Sequence, residues 1–443
     1  MADAATTGGG RAATIGFWTA VALVLGNMIG SGVFLLPASL APYGGLSLAG
    51  WVVSATGSVL LAIVFARLGR RDPAAGGPYA YTRRSFGDLA GFLVAWGYWI
   101  SSWATNAALA VAFVGYLSPF VPTVVANPAS AAGLAVATLW LLTAVNARGV
   151  AAAGRVQVVT TVLKILPLLL IGIAGLAVLQ PAHFAVAERP LPAYGRDVMA
   201  VVTLTLWAFL GLECATIPAG SVRDPDRTIP RATLIGTLIA AAVYLVSTVG
   251  VTGVVPPDVL ATTTAPFADA GRTLFGEGAA KAVAIGAAIS CFGALNGWIL
   301  IVGQLPLAVA RDGLFPPVFA RTTPDGAPVA GMVIAGALST ALIALNYTRG
   351  LVPLFTFIIL LATLSTLVPY VFCSLAEFLF ERQPGAARAT RAARIVSALA
   401  FLYALVAVAG AGAEVVYWGF LLLLAGLPIY VWRQRARLTA PGS

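Results

Sequence analysis

Charge is scarce in this chain. Only 9% of its 443 residues are Asp, Glu, Lys or Arg, and 60% are hydrophobic, whereas a soluble domain is about 25% charged. With a mean hydropathy of +0.93, a water-soluble globule is excluded and a polytopic protein of the lipid bilayer is indicated. Chemistry-bearing residues are scarce too. There is one histidine, and there are three cysteines. Cys214, Cys291 and Cys373 fall inside apolar runs without paired spacing, so they read as small apolar fillers and say nothing about redox compartment. His183 falls in a connecting loop and reads as solvated. No HExxH, paired-carboxylate motif, Gly-rich nucleotide loop or Cys/His cluster occurs. The sequence therefore argues against an enzyme, an ATP-driven pump, a metal site and a cofactor.

What is present is a series of apolar runs of about the 20 residues needed to cross a bilayer. They fall at 15–37, 43–66, 88–118, 128–146, 156–179, 197–219, 231–255, 278–308, 328–346, 351–376, 392–412 and 414–432, which predicts twelve spans. The basic residues test that number. With a cytoplasmic N-terminus, the inner segments carry Arg11, Arg67, Arg70, Arg71, Arg83, Arg84, Arg148, Arg155, Arg223, Arg227, Arg231, Arg311, Arg321, Arg382, Arg388, Arg391, Arg394, Arg433, Arg435 and Arg437. The outer loops keep only Arg189, Arg196, Arg272, Lys281 and Arg349. A miscounted span would scramble this positive-inside bias, so both termini are expected in the cytoplasm. The net charge of +10 is spread over all the inner loops rather than gathered in one patch, so it gives no reason to expect nucleic acid. The first run is too long and too broken for a cleaved signal peptide, and the chain is expected to keep its N-terminus.

One stretch of the first run stands apart: Gly26-Asn27-Met28-Ile29-Gly30-Ser31-Gly32-Val33-Phe34. Gly30 and Gly32 lower the cost of unwinding a helix, and Ser31 adds a polar group where backbone atoms have no water to bond. Such a break suits a discontinuous helix that holds a substrate near the midplane; a flexible helix packed closely on a neighbour would also use these residues. The sixth run is interrupted at Gly211-Leu212-Glu213-Cys214. An offset of five spans reverses orientation, so the pair of breaks suggests two inverted five-helix repeats followed by two added spans.

Two charges fall at depths where charge is costly. Glu213 lies beside the second break and must be protonated, paired or turned to a watery cavity. It is a candidate proton carrier or counter-charge for a cationic substrate; a structural hydrogen bond to unwound backbone is the alternative. Lys164 lies roughly 13 Å into the fifth run at 1.5 Å per residue. Its ammonium can stand in for a coupling cation against the carbonyls of a broken helix and could cycle protons, or the lysine reaches the inner surface if its helix begins later. Trp207, close before Glu213, and Trp298, beside Asn296 and Gly297, offer ring faces that attract ammonium and guanidinium groups. Most of the other tryptophans fit packing or interface anchoring.

Together the segments Gly26 to Pro37 (GNMIGSGVFLLP), Gly76 to Gly87 (GGPYAYTRRSFG), Leu206 to Glu213 (LWAFLGLE), Gly303-Gln304, Asp312 to Pro317 (DGLFPP) and Thr366 to Tyr370 (TLVPY) resemble the amino acid-polyamine-organocation (APC) transporter superfamily over nearly the whole chain. The likeness is closest to its basic amino acid and polyamine antiporters of the arginine/agmatine type. The resemblance implies an all-α polytopic fold with broken first and sixth helices, two inverted five-helix repeats (LeuT-like) at 15–180 and 197–380, two further helices at 390–432, and cytoplasmic tails at 1–14 and 433–443. It places the substrate's α-carboxylate and α-amino group at the backbone of Ile29, Gly30, Ser31 and Gly32, opposite Trp207, Phe209 and Leu210. It makes Asn27, Asn106, Trp207 and Trp298 side-chain contacts, Tyr98 and Trp207 gating residues, and Glu213 the pH-sensing and coupling acid. Three positions depart from the arginine/agmatine type. Lys164 replaces a small apolar residue, although some proton-coupled or sodium-independent members carry lysine there. Leu109 and Ala362 stand where that type has methionine and serine.

The function expected is therefore an inner-membrane secondary transporter working by alternating access, as an exchanger of basic amino acids or polyamines. The alternatives are a proton-coupled or sodium-independent transporter of neutral amino acids using Lys164, and a non-transporting amino acid sensor, although neither tail is long enough for a signalling domain. A passive channel lacks a ring of charge or a filter motif. The resemblance also implies a homodimer, for which the sequence shows no motif.

Overall fold

The computed structural model describes residues 15–186, 188, 190–348, 352–380 and 390–438, with backbone alone at 191, 352–363, 380 and 438. The tail at 1–14, Arg11, Arg189, Arg349, Arg382, Arg388 and the side chain of Ala362 lie outside the described residues. Among the described residues regular structure is helical throughout, and one parallel bridge joins Ile15 to Val222. A chain in lipid must satisfy its backbone polar groups internally, and helices do so segment by segment.

The first broken helix is α1 (Phe17–Met28) and α2 (Gly32–Leu40), followed by α3 (Leu46–Arg71), the short α4 (Pro78–Phe86) and α5 (Asp88–Tyr116). Then come α6 (Pro122–Ala126), α7 (Pro128–Ala147), α8 (Val150–Ala177), α9 (Leu191–Leu206) and α10 (Pro225–Val254). The remainder is α11 (Pro257–Leu260), α12 (Pro266–Phe275), α13 (Glu277–Arg311), α14 (Val329–Tyr347), α15 (Val352–Phe380), α16 (Arg391–Gly410), α17 (Ala413–Leu424) and α18 (Leu427–Leu438). Side-chain caps start two of the membrane-length helices: Asn127 accepts from Ala129 and Ser130 ahead of α7, and Thr390 from Ala393 ahead of α16.

Nine helical stretches among the described residues are long and apolar enough to cross a bilayer, or ten when α1 and α2, bent by 43°, count as one. Helix α5 has 29 residues but is not among them. Its buried Ser101, Ser102 and Asn106 dilute the apolar run because they face protein. In α15 the apolar stretch described is Leu364–Leu379.

The buried apolar side chains form two clusters. One joins α1, α2, α3, α10 and the segment 206–222; the other joins α5, α7, α13 and α14. Both helix breaks lie on the seam between them, with Met28 and Leu210 in the first cluster and Trp298 and Leu109 in the second. Helices α8 and α10 meet backbone to backbone: a Cβ on Gly250 would stand 2.2 Å from the Gly172 carbonyl oxygen, and one on Gly175 2.4 Å from that of Gly250. Small residues permit this approach, which dispersion and close packing favour in a membrane.

One end of the bundle is rich in arginine. There Arg83 pairs with Asp88 and Asp312 (both 2.7 Å), Arg84 with Asp72 (3.0 Å), and Arg437 of α18 with Asp88 (3.0 Å). Tyr79 donates to Asp312 (2.8 Å); burial, then that carboxylate, hold its phenol above the usual range. Ile15 joins the same end through its N–H to Ser221 and its carbonyl to Arg223 (both 2.9 Å). The described beginning and end of the chain thus share one face. At the other end, the 180–184 segment packs over the turn before α3, with Gly45 N–H donating to Phe184 (3.0 Å) and Gln180 N–H to Gly253 (3.0 Å).

Candidate functional site

The α1–α2 break exposes a row of carbonyls that a helix would have used, and each has another partner. Met28 accepts from the N–H of Gly30 at 3.0 Å. Lys164 of α8 donates to Gly26 (2.7 Å) and Ile29 (2.5 Å). Ser290 of α13 donates to Ile29 and Gly30 (both 3.0 Å), Trp298 to Asn27 (3.4 Å) and Tyr116 to Ser31 (3.4 Å). Lys164 is fully buried, so its ammonium is solvated by these carbonyls in place of water, as a bound cation would be. The first N–H groups of an α-helix have no partner within it, and Ser31, Gly32 and Val33 at the start of α2 line a cavity.

The second break is longer than the sequence suggests. After α9 the chain runs through short 3-10 turns at Trp207–Phe209, Cys214–Thr216 and Ala219–Ser221, and α-helix resumes only at Pro225. Gly211 has φ +106°, and a Cβ there would stand 3.1 Å from that of Asn27, so a side chain would both strain the turn and strike the first break. Pro218 lacks the N–H that a continuing helix needs. Tyr244 of α10 donates to the freed Ala208 carbonyl (2.8 Å), and the Gly211 N–H reaches the Tyr370 hydroxyl (3.3 Å).

Between the breaks lies a cavity of about 430 Å³ lined by Asn27, Ser31, Gly32, Leu210, Trp207 and Trp298, among others. Its remaining wall includes Leu109, Thr105, Thr366 and, toward the face opposite the arginines, Ser39 and Gly410. Among the described residues, no ionisable acid or base lines it. Trp207 is 48% exposed, whereas Trp298 is buried. Glu213 sits a layer deeper, fully buried. It accepts from the hydroxyls of Tyr98 and Tyr370, the latter at 2.5 Å, and Tyr98 packs on Trp298 with ring centroids 6.1 Å apart. A second cavity of about 750 Å³, lined by Asp72, Arg83, Arg84, Gln304, Arg311 and Asp312 among others, opens at the arginine-rich end.

A two-sided helical bundle with paired breaks facing one cavity is a transporter's geometry, and the comparisons agree. Residues 15–432 match the model of the amino acid permease family. This chain belongs to that family. The permease is 33% identical to the cadaverine/lysine antiporter of Escherichia coli K12 over 432 residues, 96% of each chain. It is also 33% identical to the putrescine transporter PotE of Haemophilus influenzae, over 92% of this chain and 94% of that one. Against the putative arginine/ornithine antiporter of Bacillus subtilis it is 34% identical, over 80% and 82%. The family transports and does not catalyse, as the missing catalytic motifs led one to expect.

Of the residues singled out in the sequence, Asn27, Ser31, Gly32, Trp207, Leu210 and Trp298 meet at the cavity of this permease. Ile29, Asn106 and Phe209 are not on its wall. Ile29 is buried with its carbonyl engaged by Lys164 and Ser290. Phe209 turns away, edge-on to Tyr244 (5.4 Å) and Trp51 (6.0 Å). Asn106 is buried, and its Oδ1 has no partner of hydrogen-bonding geometry among the described residues. His183 lies away from the cavity, its ring Nδ1 3.3 Å from the Thr252 carbonyl.

Ser290, Tyr116 and Tyr370 escaped the sequence reading. Tyr370 belongs to the TLVPY segment, which was a signal; Ser290 and Tyr116 carried none, since their importance lies in carbonyls contributed by another helix. A readable signal was present on α8. Gln157 and Thr161 both donate to Ala22 (3.3 Å each) and Lys164 to Gly26 and Ile29. These donors recur at the spacing of one helix face, against carbonyls of α1 at the same spacing.

Proposed function

We propose that this permease exchanges basic amino acids for polyamines or for one another across the cell membrane by alternating access. The single observation that carries the reading is the uncharged cavity flanked by Trp207 and Trp298 between two breaks. The N–H groups that open α2 favour a carboxylate, while two indole faces and the hydroxyls of Thr105 and Thr366 favour a cationic side chain without a fixed counter-ion. The relatives, a cadaverine/lysine antiporter, a putrescine transporter and a putative arginine/ornithine antiporter, support the same substrate class.

Gly30, Ser31 and Gly32, with Leu210 opposite, would hold the backbone groups of the substrate. Asn27, Trp207 and Trp298 would contact its side chain, Tyr98 and Trp207 would gate the cavity, and Glu213 would adjust affinity with pH. The proposed topology has twelve spans, with α5 and α15 added to the ten stretches above. Inverted repeats occupy 15–180 and 197–380 and two added helices 390–432; the tails at 1–14 and 433–443 and the arginine-rich face lie in the cytoplasm. A homodimer in the bacterial inner membrane completes the proposal.

The test is uptake of radiolabelled lysine and arginine into proteoliposomes preloaded with cadaverine, putrescine, agmatine, the same amino acid, leucine or nothing. Uptake is expected to require a basic amino acid or polyamine inside. Uptake into empty vesicles, or only against leucine, would overturn the reading. The contacts of Lys164 favour a second version, a proton-coupled carrier of neutral amino acids in which that ammonium replaces a coupling cation. Unchanged leucine uptake by Lys164→Ala would rule that version out.

A further inference from the structure

Asn146 of α7, Asn296 of α13 and Gln157 of α8 are fully buried and form one chain of amides. Asn146 Nδ2 donates to Asn296 Oδ1 (3.0 Å), and Asn296 Nδ2 donates to Gln157 Oε1 (3.0 Å). Gln157 Nε2 donates to the Ala22 carbonyl of α1 at 3.3 Å. Backbone carbonyls, which only accept, determine which end of each amide is nitrogen. They are Leu142 for Asn146 (2.9 Å), Ala153 for Asn296 (3.0 Å) and Ala22 for Gln157. The chain therefore has one polarity, and flipping any member sets oxygen against oxygen.

The chain ends directly behind the first break. A Cβ on Gly26 would lie 1.6 Å from Gln157 Nε2, and one on Gly297 would lie 1.8 Å from Asn27 Oδ1 and 3.0 Å from Gln157 Oε1. The amides of Gln157 and Asn27 thus occupy the space left by two glycines, and Asn27 lines the cavity.

We propose that Asn296, oriented by Asn146, is a positioning residue for transport. It touches no substrate; it holds the Gln157 amide so that α1 and Asn27 keep the geometry in which the cavity opens opposite the arginines. When α1 moves away from α8, the Gln157–Ala22 bond breaks. The strength of the amide chain therefore sets the population of the open form, and apparent affinity scales with that population. This assignment rests on the exchange reading above.

Asn296→Asp is nearly isosteric and replaces the donor with an acceptor. Asn296→Ala removes the donor without adding charge, should a buried carboxylate prevent folding, and Gln157→Glu breaks only the last link. In proteoliposomes, with a substrate pair that the unmodified protein exchanges, KM for external lysine or arginine is expected to rise about tenfold in each, with the maximal rate within about twofold. The double variant Asn296→Ala/Gln157→Glu should be no worse than either single one, since all cut the same chain. An unchanged KM, a lost rate at constant KM, or additive effects would overturn the assignment. A second readout needs no substrate: labelling of Thr105→Cys in the cavity wall by an impermeant maleimide should slow at least about threefold with Asn296→Ala. If the unmodified protein exchanges none of the pairs, the exchange reading fails, and an unchanged labelling rate then overturns this inference on its own.

Discussion

Glu213 and Lys164 answer the same problem differently. Glu213 is enclosed by two phenols that donate to it, whereas Lys164 is enclosed by two carbonyls that accept from it. Neither group reaches the cavity wall, so a role for either in exchange has to pass through its neighbours. If Glu213 takes up and loses a proton during exchange, Glu213→Gln will bind substrate but lose its pH dependence, with exchange varying less than about twofold between pH 5 and pH 7.5; pH dependence retained in the variant would exclude that role. Lys164→Met leaves the Gly26 carbonyl without its donor and the Ile29 carbonyl with Ser290 alone, at roughly 1–3 kcal/mol for the orphaned group. It should lower the melting temperature in detergent by several degrees and reduce exchange at least tenfold. Both charges were legible in the sequence because an ionised residue deep in an apolar run requires a reason. Asn296 and Gln157 were not, because a lone amide in such a run is ordinary and their shared polarity exists only across three helices.

Among the elements, the first break was legible from its glycines, and the extent of the second was not. The segment from Trp207 to Asp224 is tied near its start, at Ala208 and Gly211, by the hydroxyls of Tyr244 on α10 and Tyr370 on α15, contacts that lie outside the run itself. Helix α5 shows a related limit: its polar stripe lowers hydropathy where the helix is most enclosed. The α8–α10 contact makes a prediction for these two elements together. With 2.2 Å between a Cβ at Gly250 and the Gly172 carbonyl, Gly250→Leu must push the helices apart, at a cost of roughly 1–3 kcal/mol or more. Its melting temperature should fall by several degrees, while Gly133→Ala, where a Cβ meets nothing within 4 Å, should unfold at or above the parent temperature. Equal melting of both variants would show that the contact is looser than drawn.

For the molecule as a whole, composition already excluded a soluble fold, and the arginine distribution anticipated one basic face; the two packed clusters with the site on their seam depend on side-chain contacts that no single run reveals. The orientation of that face is open to direct measurement, because the three native cysteines are buried. An impermeant maleimide should label Ala261→Cys in intact cells and Ala74→Cys only after permeabilisation; the reverse pattern would mean the opposite insertion. The uncharged wall of the cavity has an electrical consequence. Cargo whose charge meets no fixed counter-ion there carries that charge across the bilayer, so each cycle moves the difference between the two cargoes. Like-for-like exchange is then silent to voltage, whereas a monocation traded for a dication moves one elementary charge, or about 2.3 kcal/mol per 100 mV. The membrane potential thereby becomes a reactant in the unequal trade, and the reversal potential counts the charge.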